Sequence, residues 1–107
     1  MVRGTAKQGA GERERVTALL RRHADELRAR GIRGLALFGS VARNEARPGS
    51  DVDLLVDLDP EAGLGFGVVS LRQDLGRVLG RPVGLAFASR VRPELRARIE
   101  RDLVRVF

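Results

Sequence analysis

The chain has 107 residues, of which 43% are hydrophobic, and it carries a formal net charge of +6. This length favours one domain with a small core, and the absence of cysteine excludes disulfides and cysteine-ligated zinc. No apolar run approaches the roughly 18 residues that a membrane span requires, and the first residues lack the apolar segment of a signal peptide. We therefore expect a cytoplasmic protein that does not enter a membrane.

The basic excess lies at the two ends of the chain. Residues 1–30 carry eight basic and four acidic side chains, residues 31–90 carry seven of each, and residues 91–107 carry five basic and three acidic. There is no Tyr or Trp and only four Phe, so few aromatic rings could stack on bases. We interpret the arginines first as solvated helix faces, second as a docking surface for a partner and third as a nucleic-acid surface.

The first part of the chain predicts a tail followed by a helix. Residues 1–11 are rich in glycine and polar residues without periodicity, which predicts a flexible tail ahead of a single domain at residues 12–107. Apolar residues recur at helical spacing over residues 12–30, and Gly31 is a suitable stop. His23 lies on the same helical face, where we expect a packed or half-exposed side chain rather than a catalyst.

The next apolar run, Leu35–Phe38, predicts a strand that stops at Gly39-Ser40. A segment compatible with a helix follows, so this turn places backbone N–H groups and a hydroxyl at a helix N-terminus, where phosphate is favoured. The alternative is that Ser40 is an ordinary helix N-cap.

Two carboxylates open the second predicted strand. In Asp51-Val52-Asp53 the two acids point to the same face, because residues i and i+2 of a strand share a face. Adjacent carboxylates repel each other, and a Mg2+ ion, which prefers oxygen ligands, would relieve that repulsion. The alternative is a pair of solvated acids at the exposed start of a strand.

The spacing of these two motifs carries a family resemblance. Gly39-Ser40, ten intervening residues and then Asp51-x-Asp53 resemble the signature of the minimal nucleotidyltransferases of the polymerase-β-like superfamily, which often act as antitoxins. The likeness extends from about Leu35 to the last residue. It implies an α/β fold in which a small mixed β-sheet is flanked by helices and the two motifs meet in a cleft.

The resemblance also implies a reaction and roles for individual residues. Asp51 and Asp53 would be the catalytic metal ligands for Mg2+, while Gly39 and Ser40 would hold the phosphates of ATP. Arg43 would hold the loop or the nucleotide, although a surface salt bridge with a nearby acid is an equal alternative. The family transfers AMP to a hydroxyl, which in toxin-antitoxin pairs is a tyrosine of a toxin of the HEPN class.

The third predicted strand, residues 82–88, departs from the family pattern. It follows a predicted loop at residues 61–65 and a predicted helix at residues 68–79. Relatives carry a third carboxylate where this chain has Gly84, and its loss should weaken the chemistry more than nucleotide binding. Two alternatives therefore stay open: an antitoxin that masks its partner by binding alone, and a basic nucleic-acid-binding domain.

The end of the chain predicts a helix that begins at Pro93, because proline suits a first helical turn. Leu95, Ile99 and Leu103 fall on one stripe of this helix. Residues 104–107 then predict a short strand or a docked tail. Together with the basic ends, this apolar segment is where we expect a HEPN partner to dock, and an oligomer remains open.

Overall fold

The computed structural model describes residues 8–61 and 67–107, which form five helices and four strands in the described ranges. The elements in chain order are α1 (Gln8–Arg22), α2 (Ala24–Ala29), β1 (Ile32–Phe38), α3 (Gly39–Ala42), β2 (Val52–Leu58), α4 (Gly67–Leu79), β3 (Val83–Phe87), α5 (Pro93–Asp102) and β4 (Val104–Arg105). The predicted α/β class is confirmed. No helix in this described part of the chain is long and apolar enough to cross a membrane.

The four strands form one mixed sheet in the order β3-β2-β1-β4. The two central strands, β1 and β2, run antiparallel, and β4 is antiparallel to β1. The edge strand β3 runs parallel to β2, so α4 provides the crossover between them. This arrangement confirms the predicted small mixed sheet with helices against it.

The core lies on one face of the sheet. Strand β2 alternates strictly, since Val52, Leu54 and Val56 are fully buried while the residues between them are exposed or half-buried. The helices that cover this face bury an apolar stripe at helical spacing against it. Its fully or nearly fully buried members are Val16, Leu20, Leu27, Leu71, Leu75 and Leu79.

The helix predicted for residues 12–30 is interrupted, so that prediction was wrong at His23. In a continuous helix the His23 N–H would donate to the Leu19 carbonyl. Instead it donates to the Leu20 carbonyl at 3.1 Å, and the imidazole Nδ1 of His23 lies 2.9 Å from the Leu19 carbonyl. The side chain is half-buried, as expected. Helix α1 also begins at Gln8, four residues before the predicted start.

Two predictions fall mainly outside the described residues. The predicted tail overlaps α1 from Gln8, whereas residues 1–7 lie outside the described residues. Of the loop predicted for residues 61–65, only the first residue is described.

The predicted short strand after α5 is confirmed as β4. Of the predicted α5 stripe, Ile99 is buried and Leu103 half-buried, but Leu95 is 45% exposed.

Candidate active site

The turn between β1 and α3 depends on a glycine. Phe38 is still extended, and Gly39 then adopts a φ of +79°, a left-handed conformation that residues with a Cβ rarely adopt. A Cβ at Gly39 would also overlap the carboxylate Oδ2 of Asp53. Glycine therefore allows the backbone to turn and to approach Asp53 closely, which brings the two predicted motifs together.

Ser40 lies inside the first turn of α3 rather than at its cap. Helix α3 begins at Gly39 after Phe38, and no side-chain hydrogen bond caps it, so the N-cap interpretation of Ser40 was wrong. The Ser40 carbonyl accepts a hydrogen bond from the Glu45 N–H at 2.8 Å. The short helix ends at Ala42, and Asn44, two residues further on, has a φ of 60°, a left-handed conformation for which asparagine is well suited.

Asp51 and Asp53 lie at the start of β2 on the face opposite the core. Asp51 is exposed and Asp53 is half-buried, opposite Phe38 of β1. Burial raises the pKa of Asp53, the nearby charge of Asp51 raises it further, and the charge of Arg43 partly offsets both effects. The pair thus carries negative charge that the described protein groups compensate only in part, which is a suitable environment for a cation.

Gly84 is the direct neighbour of Asp53 in the adjacent strand. The parallel register pairs Asp53 with Gly84, and a Cβ at Gly84 would lie 3.1 Å from the Asp53 Oδ1. Glycine therefore occupies the place next to the acid pair. Within residues 8–61 and 67–107, no group of three or more His, Cys, Asp or Glu side chains could hold a metal ion.

Arg43 joins the site to the last helix. Its Nε donates to Glu45 at 2.9 Å and its Nη1 donates to Asp102 at 2.8 Å. The hydrogen bond to Glu45 and, to a smaller extent, the one to Asp102 raise the pKa of Arg43. The predicted salt bridge is therefore present, and the same guanidinium acts electrostatically on Asp53. Sequence reasoning missed Asp102, because 59 residues separate it from Arg43 and no local motif marks it.

This geometry can be compared with known proteins. Residues 20–106 match the model of the family described as "Nucleotidyltransferase domain". Since the match covers most of the chain, the protein belongs to the nucleotidyltransferase domain family. The predicted family resemblance is confirmed.

Individual relatives narrow this class. The chain is 35% identical over 94 residues to "Protein adenylyltransferase MntA" of Thermococcus cleftensis, an alignment that covers 87% of this chain and 94% of the relative. A Methanocaldococcus jannaschii protein, also named as a protein adenylyltransferase, is 36% identical over 76 residues, which cover 71% of this chain and 81% of that protein.

A solved structure supports the same fold. The chain is similar to a structure described as a minimal nucleotidyltransferase, with a TM-score of 0.68 and 32% sequence identity over 90% of this chain and 93% of the other. The polymerase-β-like nucleotidyltransferase fold that the family resemblance implies is thus confirmed.

Proposed function

We propose that this protein binds ATP with Mg2+ and transfers AMP to a hydroxyl of another protein. The observation that carries this proposal is the close approach of the Gly39 backbone to Asp53, which brings a glycine turn and an acid pair together. The names of the relatives, which are protein adenylyltransferases, support the same reaction.

The described residues fit the metal that the family uses. Asp51 and Asp53 are neighbouring carboxylates; burial, and after it the charge of Asp51, raises the pKa of Asp53, and a divalent cation would offset both effects. These two residues would hold Mg2+, which when bound would neutralise phosphate charge and polarise the reacting phosphoryl group. The Gly39 backbone and the Ser40 hydroxyl would hold phosphate oxygens, and Arg43 would add positive charge beside them.

The reaction requires a proton acceptor as well as charge neutralisation. The acceptor oxygen bonds to the α-phosphorus, the bond from that phosphorus to the bridging oxygen breaks, pyrophosphate leaves and the proton of the acceptor hydroxyl passes to water. Gly84 offers no carboxylate for that proton or for a second metal ion. We therefore expect slow transfer by the wild-type chain.

The acceptor that we propose is a tyrosine of a cytoplasmic HEPN toxin, which makes this chain an antitoxin. The second candidate is an antitoxin that masks the toxin by binding alone. Gly84 favours this second candidate, because glycine beside Asp53 leaves the acid pair without a third carboxylate and adds no side chain to the site.

Nucleotide binding is tested by titration calorimetry with Mg2+ and ATP. We expect metal-dependent binding that Asp51→Asn and Asp53→Asn each weaken by about tenfold or more, because each removes a metal ligand. Equal binding by the wild type and both variants would contradict the proposed site.

Transfer is tested with Gly84→Asp and its matched control, Gly84→Ala. Incubation of a co-expressed HEPN protein with Mg2+ and ATP, followed by intact-protein mass spectrometry, should show more added AMP with Gly84→Asp than with the wild type. The alanine variant introduces the same 3.1 Å contact with Asp53 but no carboxylate, so it should bring no gain.

The remaining outcomes separate the two candidates. Rapid modification by the wild type without a gain from Gly84→Asp would mean that another acid completes the site. If neither variant transfers AMP while the wild type still inhibits the toxin, the protein acts by binding alone.

A further inference from the structure

Helix α5 is unusually exposed for a helix that closes a fold. Residues 92–98 are all exposed, and Ile99 is the single buried residue of α5. Leu95 is 45% exposed, and in the described part of the chain only Val69 among the large hydrophobic residues is similarly exposed, at 54%. Leu95 lies in the first turn of α5. A single exposed leucine is common on protein surfaces, so the charges around Leu95 decide whether this surface contacts something else.

The arginines of α1 and those around α5 differ in their partners. In α1, Arg13, Arg15 and Arg21 each donate hydrogen bonds to backbone carbonyls of other elements. Around α5, four arginines form no ion pair with any acid of the described residues 8–61 and 67–107. These four are Arg90, Arg92, Arg98 and Arg101, and all are exposed. Three of the four arginines of α1 thus bind other parts of the fold, whereas these four around α5 remain available.

The spacing along α5 places two of these arginines beside Leu95. Arg98 lies three residues after Leu95 and is its neighbour on the helix surface, while Arg92 is the N-cap residue of α5, three residues before Leu95. We define the α5 patch as Arg92, Leu95 and Arg98. Asp102 lies seven residues beyond Leu95 on the same side, about 10 Å along the helix, and it binds Arg43 at the acid pair.

We propose that the α5 patch docks an acidic segment of the protein that carries the acceptor hydroxyl. The two arginines attract carboxylates, and Leu95 provides an apolar contact between them. Because the patch lies about two helical turns from Asp102, which binds Arg43, a segment bound there reaches the surroundings of Arg43 within a few residues. This inference rests on the proposed function, since it names how the protein substrate of that same site is held.

A protein segment fits the patch better than RNA does. Proteins that bind single strands combine positive charge with aromatic rings on which bases stack, and α5 contains no aromatic residue. A leucine between two arginines instead has the composition of a small protein interface.

The experiment uses a random copolymer of glutamate and tyrosine as the acidic, hydroxyl-bearing probe. Fluorescence anisotropy of the labelled copolymer should show binding that Leu95→Glu and Arg98→Glu each weaken by about fivefold or more. The matched controls are Val69→Glu and Arg72→Glu on α4, which make the same changes at exposed positions and should stay within about twofold of the wild type.

Location is tested independently, since the chain has no cysteine. A dye attached at Leu95→Cys should change its emission when the copolymer is added, and the same dye at Val69→Cys should not. Equal responses at both positions, or equal weakening by the patch and control variants, would overturn the proposal.

Two further measurements distinguish this inference from the proposed function. Calorimetry with Mg2+ and ATP should give the same Kd for all four glutamate variants and the wild type. If none of these proteins binds Mg2+ and ATP but the α5 patch still binds the copolymer, the proposed function is wrong and the docking surface is supported. If a uridine homopolymer binds and Arg98→Glu abolishes that binding while the acidic copolymer does not bind, the patch is an RNA surface and our proposal is wrong.

Discussion

The two faces of β2 differ in what their side chains do. On one face Val52, Leu54 and Val56 are fully buried in the core. On the other face Asp53 is half-buried, with Gly39 of the turn and Gly84 of β3 beside it. Helices α1 and α4 bury apolar stripes in the core, but α5, on the second face, buries only Ile99. The apolar residues of β2 therefore stabilise the fold, while the acid on its other face belongs to the candidate active site.

This division follows from the period of a strand. Because neighbouring residues point to opposite faces, Asp53 and Leu54 are adjacent in sequence but lie in different environments. An acid pair with partly uncompensated charge opposes folding, so the packed face must supply the stability that the second face lacks. Substitutions on the two faces should consequently affect different measurements.

The strongest test compares Leu54→Ala with Asp53→Asn. Leu54→Ala removes a fully buried side chain and should lower the free energy of unfolding by about 2–5 kcal/mol. Asp53→Asn should leave the free energy of unfolding within about 1 kcal/mol of the wild type or raise it, because it removes a charge that burial disfavours. Urea denaturation followed by circular dichroism measures both variants.

The two variants should rank in the opposite order for ligand binding. Below its unfolding midpoint, Leu54→Ala should retain the wild-type Kd for Mg2+ and ATP, whereas Asp53→Asn weakens binding by about tenfold or more. A large loss of stability in Asp53→Asn would show that the acid is a structural residue and would remove the distinction between the faces.

The second test compares two glycines with nearly the same backbone. Gly39 and Gly49 have φ angles of 79° and 86°, so alanine at either position is strained. A Cβ at Gly49 meets no atom within 4 Å, whereas a Cβ at Gly39 overlaps Asp53. We expect Gly49→Ala to cost about 1–2 kcal/mol and Gly39→Ala about 1 kcal/mol more, with loss of Mg2+ and ATP binding only in Gly39→Ala.

Thermal and urea unfolding together with calorimetry check this pair. If both variants lose the same stability and both bind ligand normally, the approach of Gly39 to Asp53 is not a requirement of the site. If Gly39→Ala loses binding but no additional stability, Asp53 has moved aside to accept the Cβ, and the position of the carboxylate rather than the turn determines binding.

Much of the site could be predicted from the sequence because its determinants are local. A strand that stops at Gly39-Ser40 and an alternating run that begins at Asp51 are short-range patterns. The family resemblance singled out Gly84 as the place of a missing carboxylate, and Gly84 does lie beside Asp53. The interruption at His23 was not predicted because it depends on a contact between the His23 side chain and the Leu19 carbonyl of the helix backbone. The spacing of apolar residues carries no information about such a contact.

Two further features depend on contacts between distant parts of the chain. Asp102 reaches Arg43 only because α5 packs beside α3, and nothing in the sequence near either residue indicates the pair. The stripe of Leu95, Ile99 and Leu103 has the spacing of a buried face, yet burial depends on what lies opposite it. Periodicity predicted the helix correctly but could not show that the sheet covers only part of it.

The third and smallest expected effect concerns the junction between α1 and the turn that leads into β2. Glu12 accepts hydrogen bonds from Arg15 at 2.9 and 2.7 Å and from Arg81, which also donates to the carbonyls of Arg47 and Ser50 at 2.9 and 3.0 Å. The side chains of Glu12 and Arg81 are only 14% and 15% exposed. The hydrogen bond from Arg15, then that from Arg81, lowers the pKa of Glu12 from 4.5 to about 2, against the opposing effect of burial.

Because the folded state lowers this pKa, the stabilisation is fully present above pH 4.5 and is lost as the pH falls towards 2. We expect Glu12→Gln to lower the free energy of unfolding at pH 7 by about 1–2 kcal/mol. Between pH 4.5 and 2 the free energy of unfolding of the variant should fall by about 1–2 kcal/mol less than that of the wild type. Glu14→Gln, on the same helix but 61% exposed, is the control and should follow the wild type across the pH range. Urea denaturation at several pH values measures all three proteins, and parallel curves for Glu12→Gln and the wild type would show that the Glu12 ion pairs contribute no proton-linked stability to this junction.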